Sequence, residues 1–419
     1  MYTFENGLRK VAPYFSEFSV RIKQRWEGKT LVELQTTEFG ESAAVVEQAI
    51  RHHRLFIETN QGKKKHTQQT IKGWDSLATR PLDRFDVIHS LQHRHEPSVG
   101  DLPWTVIHED DDLLVISKPP GIPTHPTGNY HYNSITEIVK FDRQLANVWP
   151  THRLDKATAG VLILAKNQKA GKYYQQLFSE NKQLVTKEYF ARVKGEFPQG
   201  THLVNCPIFS VMSTQGHIRP VNADELMANS STIFTRVSYD PTSNQSVVKC
   251  QPVTGKTHQI RIHLRNVGFP IANDYLYHPV NEGFINHEVN KLSCSIELEL
   301  YRRLFRVHPE FGQLQSADKL PEALQKGTID LYSITNWYHD SALRSEVERL
   351  KSLRSQSFEK LKADYDTKCL ECGKQLLTTD RDLSDQAIWL HAFKYHYQGN
   401  PNICFEDDIP SWAKPNFIE

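Results

Sequence analysis

THRLDKATAGVLILAKN, residues 151–167, is the stretch on which the reading of this chain turns. It sets Arg153 and Asp155 in a polar turn that ends at Gly160 and runs straight into the apolar segment Val161–Ala165. A carboxylate there can sit at the mouth of a cleft beside a cation, a common position for catalytic groups carried on loops. An Asp in a turn before a strand is more often a hydrogen-bonded structural residue, so the turn alone does not assign chemistry.

Working outward, the texture from 104 to 278 is one of strands, TVIHE, LLVISK, GVLILAK, KEYFARVKG and SVVKCQPV, with Gly and Pro between them. Short helices are expected at 133–146 and 168–180, and residues 101–278 form the core domain. Residues 279–386 carry more charge and fewer strand patterns. Around Ser341 to Asp364, Leu343, Val347, Leu350, Leu353 and Leu361 make one helical apolar stripe, so the segment reads as a charged, partly helical insertion. The compact aromatic segment AIWLHAFKYHY then opens a C-terminal stretch, 387–419, that completes the core domain. Upstream, residues 1–100 form a small mixed module. In SAAVVEQAIRHHRLFIE (42–58), Val45, Val46, Ala49 and Ile50 recur at helical spacing before a strand-like LFIE. A basic run, Lys63, Lys64, Lys65 and His66, and a second strand at Phe85–Leu91 follow. The basic run reads either as a solvated loop or as a nucleic-acid contact.

Among 419 residues the formal net charge is only +1, so any polyanion partner must be met by local patches. No run approaches the ~18–20 apolar residues of a membrane helix, and Glu5, Glu17 and Glu27 among the first thirty residues are unlike a signal or transit peptide. Six cysteines without a framework spacing fit free thiols in a reducing compartment. These features lead us to expect a cytoplasmic protein, with nucleus and mitochondrion as alternatives, monomeric and without a membrane partner.

The string HRLDKATAG resembles the HRLDxxTSG motif of the RluA branch of RNA pseudouridine synthases, whose essential residue is the Asp of that motif, here Asp155. VIHEDDDLLVISKPPGIPTHPTG (106–128) resembles the family's first motif through Lys118, Pro119, Gly121, His125 and Pro126. KEYFARVKGEF (187–197) is similar to the family strand that places Tyr189 at the active-site tyrosine. VTGKTHQIRIHLRNVGFPIANDYLY (253–277) is similar to the TGRTHQIRVHL segment and puts Arg261 at the arginine that pairs with the catalytic Asp. Ala159 replaces the usual Ser, and Lys256 the usual Arg, which keeps the charge but loses bidentate geometry. WLHAFKYHYQGNPNICFEDDIPSWA (389–413) looks like the family's closing segment, displaced by the insertion. The first hundred residues resemble an S4-like RNA-binding module, and the whole pattern resembles the eukaryotic branch that modifies the tRNA anticodon loop, at position 32.

The resemblance implies an α/β (α+β) fold: a mixed, mainly antiparallel catalytic sheet, a small N-terminal S4-like module and a largely helical insertion. It implies an isomerase acting on RNA, most simply tRNA, with Asp155, Tyr189 and Arg261 as catalytic groups and neither metal nor organic cofactor. Arg153, His152, Lys118, His125, Lys256, His258 and the run Lys63, Lys64, Lys65 would contact RNA. The target uridine must leave its stack, at a cost of roughly a few kcal/mol, and Arg153 would fill the vacated space. Tyr189 would stack on the base and help remove a proton from it. Arg261 within ion-pair distance would fix the rotamer of Asp155.

Three rivals compete. Cys369 and Cys372 with His391 and His396 mimic a zinc site, but eighteen residues separate Cys372 from His391, beyond the ~12 of the common finger. His308, Pro309 and Glu310 upstream of that CxxC suggest a zinc deaminase, but Lys368 stands where its Pro should be. A non-catalytic RNA-binding protein on a synthase scaffold would have no reason to keep Asp155, Tyr189 and Arg261 together.

Overall fold

The computed structural model describes residues 1–60, 68–208, 230–278, 287–320, 340–363, 387–414 and 417. An N-terminal hairpin, β1 (Tyr2–Glu5) and β2 (Leu8–Val11), precedes β3 (Tyr14–Arg21), α1 (Leu31–Thr37), α2 (Ala43–Arg51), β4 (Leu55–Asn60), β5 (Gln68–Ile71), α3 (Trp74–Leu77) and β6 (Asp86–Arg94). Among the described residues the chain divides into two compact units. One takes in Ala12–Glu96; the other takes in Tyr2–Val11 and the chain from Pro97 onward.

In the first unit β3, β6, β4 and β5 form an antiparallel four-stranded sheet in that order. Thr30 starts α1 through a capping box, accepting from the Glu33 amide while Glu33 accepts from the Thr30 amide. Ser42 caps α2. Leu31, Leu34, Val46, Ile50, Ile57 and Ile88 are buried between helices and sheet; each such side chain contributes roughly 1.5–3 kcal/mol of transfer free energy. Val45, expected on the apolar face of α2, instead points outward and is 44% exposed. Lys63, Lys64 and Lys65 lie outside the described residues.

The division expected at residue 100 needs correction. β2 pairs with β7 (Val99–Gly100), Leu8 and Val11 are buried, and the Tyr2 hydroxyl donates to the Tyr132 carbonyl at 2.6 Å, so the first hairpin belongs to the second unit.

The second unit is built on an eleven-stranded sheet. Its strands are β8 (Thr105–Glu109), β9 (Leu113–Lys118), β10 (Trp149–Pro150), β11 (Ala159–Ala165), β12 (Val185–Lys194), β13 (Thr201–Asn205), β14 (Ser231–Asp240), β15 (Gln245–Pro252), β16 (Gln315–Ser316), β17 (Leu390–Gln398) and β18 (Asn402–Glu406). The order is β16-β13-β14-β15-β12-β17-β11-β9-β8, with β10 on β11 and β18 on β17. Among the described residues only β11 and β17 run parallel, so the fold is mixed and mainly antiparallel. Helices α4 (Ile135–Arg143), α5 (Gln168–Glu180), α6 (Gln259–Asn266), α7 (His287–Val307) and α8 (Ser341–Ala363) pack on it.

β11 shows why its sequence is apolar without alternation. Leu162 and Leu164 pack with Ile138 and Val139 of α4, whereas Val161, Ile163 and Ala165 pack with Phe178 of α5, so both faces are buried. The C-terminal strand β17 lies between β11 and β12, at the centre of the sheet.

The described part of 279–386 packs as part of the second unit. Leu292, Ile296 and Leu300 of α7 and Leu343, Val347 and Leu350 of α8 enter the same core as Val193, Phe234 and Val248 of the sheet. Leu353 is partly buried against that core. Cys369 and Cys372 lie outside the described residues. His391 Nε2 stands 3.1 Å from the Asp407 carboxylate, and His396 pairs with Asn402, so both histidines are already engaged within the sheet. Among the described residues no helix is long and apolar enough to cross a membrane.

Candidate active site

The turn that carries Asp155 is held from three sides. Thr124 Oγ1 donates to the Leu154 carbonyl at 2.9 Å and accepts from the Leu154 amide at 3.1 Å. The Gly121 amide donates to the Lys156 carbonyl at 2.8 Å, and the Thr158 amide closes the turn on the Asp155 carbonyl at 3.1 Å. Beneath it the Lys118 ammonium donates to the carbonyls of Pro119 (2.9 Å), Lys156 (3.2 Å) and Thr158 (2.9 Å). Lys118 was expected to contact RNA, but it is fully buried, and its three N–H groups are used on backbone. Burial pushes its amine down to about 7, with the charge of Asp155 working in the other direction. At the exit Gly160 has φ +108°, and a Cβ there would stand 2.1 Å from the Ala392 carbonyl oxygen, so only glycine lets β17 approach.

Asp155 opens into a cleft of about 340 Å³ lined by His152, Arg153, Lys187, Tyr189, Lys256, His258 and Arg261, among others. That volume falls in the range of small-ligand pockets, ~300–1,000 Å³. The sheet supplies Tyr189 and Lys187 from β12, and α6 supplies Arg261 from its first turn. Burial and the nearby charge of Asp155 push the Tyr189 phenol well above its ordinary value, so it stays protonated. That suits a stacking platform, and the expected part in removing a proton would need the phenolate form that burial disfavours.

Arg261 also departs from expectation. Its guanidinium makes a bidentate pair with Asp274, Nε to Oδ2 at 2.7 Å and Nη2 to Oδ1 at 2.8 Å, both residues being buried, and it forms no ion pair with Asp155. Burial alone would raise the Asp274 carboxyl, but Arg261 and the amides of Tyr277 and Leu276 hold it below its ordinary value. The imidazole facing Asp155 is His258, Nε2 to Oδ2 at 3.7 Å. Its Nδ1 lies 2.8 Å from the Tyr277 hydroxyl. Burial and Arg261 push His258 down to about 4 against the pull of Asp155, so the ring is neutral.

The remaining expected RNA contacts divide into two kinds. Arg153 and Lys256 are exposed at the mouth of the cleft, placed to meet phosphate or fill a vacated stack. His125 is partly buried, and burial together with Arg153 lowers its pKa. His152 lines the cleft, but Nε2 accepts from the Ile163 amide at 3.2 Å and the ring stacks on Tyr395. Burial and Lys187 push it down to about 3, so it is a packed neutral ring and makes no ion pair with a phosphate. Lys187, Asp274 and Tyr277 were not singled out from sequence. Lys187 stands two residues before Tyr189 on the same strand, and that period-two spacing could have found it; Asp274 and Tyr277 lie in a loop without periodicity.

Residues 112–266, which supply all of this cleft's lining except Leu390, match the family model described as RNA pseudouridylate synthase. The chain is 32% identical to the mouse pseudouridylate synthase RPUSD2 over 100% of its own length and 74% of that protein. It is also 32% identical to the tRNA pseudouridine(31) synthase of Saccharomyces cerevisiae, covering 99% of this chain and 97% of that one. The chain belongs to the RNA pseudouridylate synthase family. The mitochondrial tRNA pseudouridine(32) synthase of the same yeast is 32% identical over 98% of this synthase and 78% of its own length. As a pseudouridine synthase this chain is an isomerase: uracil is detached from its ribose at nitrogen and rejoined at carbon. The zinc-module and deaminase readings offer no account of a family match that spans the sheet and the cleft.

Proposed function

We propose that this synthase converts a uridine of the tRNA anticodon loop to pseudouridine, with Asp155 as the carboxylate that acts on the flipped nucleotide. The observation that carries the reading is the placement of Asp155: it opens into the same cleft as Tyr189, with the exposed Arg153 at the mouth. Breaking a glycosidic bond and forming a carbon–carbon bond to the same ribose needs an anionic group beside C1′ and C2′, and Asp155 supplies it. A uridine stacked in a helix cannot reach that carboxylate, so the base flips, and Arg153 is placed to take its position. Tyr189 forms the wall on which uracil stacks. Arg261, paired with Asp274, fixes the start of α6 and so the wall opposite Asp155. These steps use the chain's own side chains and call for no cofactor.

The choice of tRNA rests on the relatives, since two of the yeast proteins are named for tRNA pseudouridine 31 and 32. One is named as mitochondrial, so the RNA pool is part of the question. The unit Ala12–Glu96 is proposed as an S4-like RNA-binding module that adds affinity outside the cleft. The test is pseudouridine mapping on cytosolic and mitochondrial tRNA after incubation with purified wild-type protein and with Asp155→Asn, which keeps size and removes charge. Pseudouridine at one anticodon-loop position with wild type alone is expected. RNA binding by both proteins without any pseudouridine would sink the proposal in favour of a binding role.

A further inference from the structure

We propose that His258 is a positioning residue for Asp155, a neutral imidazole whose Nε2–H is aimed at the Asp155 carboxylate by the Tyr277 hydroxyl. This deepens the functional reading above and rests on it.

Three observations carry the proposal. First, His258 adopts the left-handed conformation, φ 58° and ψ 19°, which few non-glycine residues take and which costs ~1–2 kcal/mol. It stands at the start of α6, where a side chain would ordinarily cap the helix, yet its ring makes no cap hydrogen bond. The strained backbone turns the ring toward Asp155 and Tyr277 instead. Second, the two ring nitrogens face different partners: Nδ1 is 2.8 Å from the Tyr277 hydroxyl and Nε2 is 3.7 Å from Asp155 Oδ2. Third, Tyr277 is itself immobilised. It is buried, and its ring lies 4.8 Å from the Arg261 guanidinium and 5.0 Å from that of Arg265.

The tautomer follows from satisfying both sides. Among the described residues the Tyr277 hydroxyl has one hydrogen-bond partner, His258 Nδ1. If Tyr277 donates, Nδ1 accepts and the ring proton sits on Nε2, directed at a carboxylate. If Nδ1 donated instead, the buried phenol proton would lack an acceptor and the Nε2 lone pair would face the negative charge of Asp155; both cost free energy. Burial keeps the phenol protonated and the imidazole neutral, in line with this assignment. The separation of 3.7 Å is longer than a hydrogen bond. A small rotation of Asp155 closes it when the nucleotide enters, as catalytic hydrogen bonds tighten in the bound complex. The donor then fixes which carboxylate oxygen faces the ribose, the function first expected of Arg261.

Substitution can separate this from a purely structural role, because asparagine tolerates the left-handed backbone better than histidine. His258→Asn keeps an acceptor for Tyr277 near the Nδ1 position and removes only the donor that reaches Asp155. His258→Gln restores a donor at the Nε2 distance, and Tyr277→Phe leaves the ring between the two arginines but frees the tautomer. Single-turnover rates, tRNA dissociation constants and melting temperatures would be measured for all four proteins. His258→Asn should lower the single-turnover rate ~10- to 100-fold, in proportion to a misplaced carboxylate, with tRNA affinity within about twofold and melting temperature not lowered. His258→Gln should recover most of the rate, and Tyr277→Phe should fall between. A His258→Asn rate within about twofold of wild type overturns the inference alone, as does a loss that appears wholly in tRNA affinity. A wild-type protein that forms no pseudouridine overturns the functional reading, and the inference falls with it.

Discussion

Lys118→Met isolates what the buried ammonium under the Asp155 turn contributes. Met keeps the unbranched stem and removes the amine. Two effects oppose each other. The carbonyls of Pro119, Lys156 and Thr158 lose the ammonium; that of Lys156 keeps the Gly121 amide, and each buried acceptor left without a partner costs about 1–3 kcal/mol. Against that, the variant no longer buries a charge. The second effect depends on pH, whereas the neutral amine keeps two of its three N–H donors and so most of the first does not, which makes them separable. The amine falls from 10.5 to about 7 on folding. Between those values the unfolded chain holds a proton that the folded chain does not, so stability rises with pH across the window. Below about 7 both states are protonated and the full penalty of roughly 5 kcal/mol applies. Integrating from pH 7 to pH 9 gives wild type a gain of about 2 kcal/mol that Lys118→Met cannot show. Urea unfolding of both proteins at pH 7, 8 and 9, followed by tryptophan fluorescence, reads the difference directly, since other titrating groups are common to both. The expected result is a wild-type advantage that grows by about 2 kcal/mol over the range. A constant difference would falsify the claim that Lys118 is a desolvated amine and return it to the surface role first expected of it.

Two substitutions test the supports of the cleft. Asp274→Asn leaves the Arg261 guanidinium buried without its carboxylate and should cost about 3–5 kcal/mol by chemical denaturation; a cost under about 1 kcal/mol would show that Arg261 finds another partner. Gly160→Ala forces a Cβ to 2.1 Å from the Ala392 carbonyl at a positive φ, and should lower the melting temperature markedly by parting β11 from β17; an unchanged melting temperature would mean that this parallel pairing is not needed.

What the sequence revealed divides along physical lines. The strands of the second unit were readable because each is a short apolar run between Gly and Pro signals, and α5 because its periodicity and its Asn167 cap agree. Helix α6 was not readable. Every residue from Gln259 to Arg265 is buried, polar ones included, and Ile260, Ile262 and Leu264 alternate with Arg261, His263 and Arg265 as a strand would. Tertiary pairing resolves the ambiguity: Arg261 is neutralised by Asp274, His263 bonds the Cys206 carbonyl and Thr232, and Arg265 meets Glu297. The same limit applies to the site. Asp155 and Tyr189, which share the cleft, could be singled out because their motifs are local, whereas the partners of Arg261 and His258 depend on a loop that folds back thirteen and nineteen residues later. A motif specifies that an arginine is needed near an aspartate; it does not specify which aspartate.

The segment between the motifs gains its meaning from those partners. Helix α6 forms one wall of the cleft, and two buried ion pairs hold it. Arg261 at its start is bound to Asp274, and Arg265 near its end is bound at 2.7 Å to Glu297, which lies on α7. Between the two arginines sits Tyr277, whose hydroxyl reaches His258 and through it Asp155. A helix read from sequence as part of an insertion therefore supplies a charge to the rear of the candidate site, four contacts from Asp155 by way of Arg265, Tyr277 and His258. Breaking a buried pair by removing one partner leaves the other charge uncompensated, so loss of Glu297 would be transmitted to α6 rather than absorbed at the surface. Residues 287–307 are on this account a structural part of the catalytic unit, and deletion of the region to make a smaller synthase would expose the apolar face shared by Leu292, Ile296 and Leu300 as well as orphan Arg265.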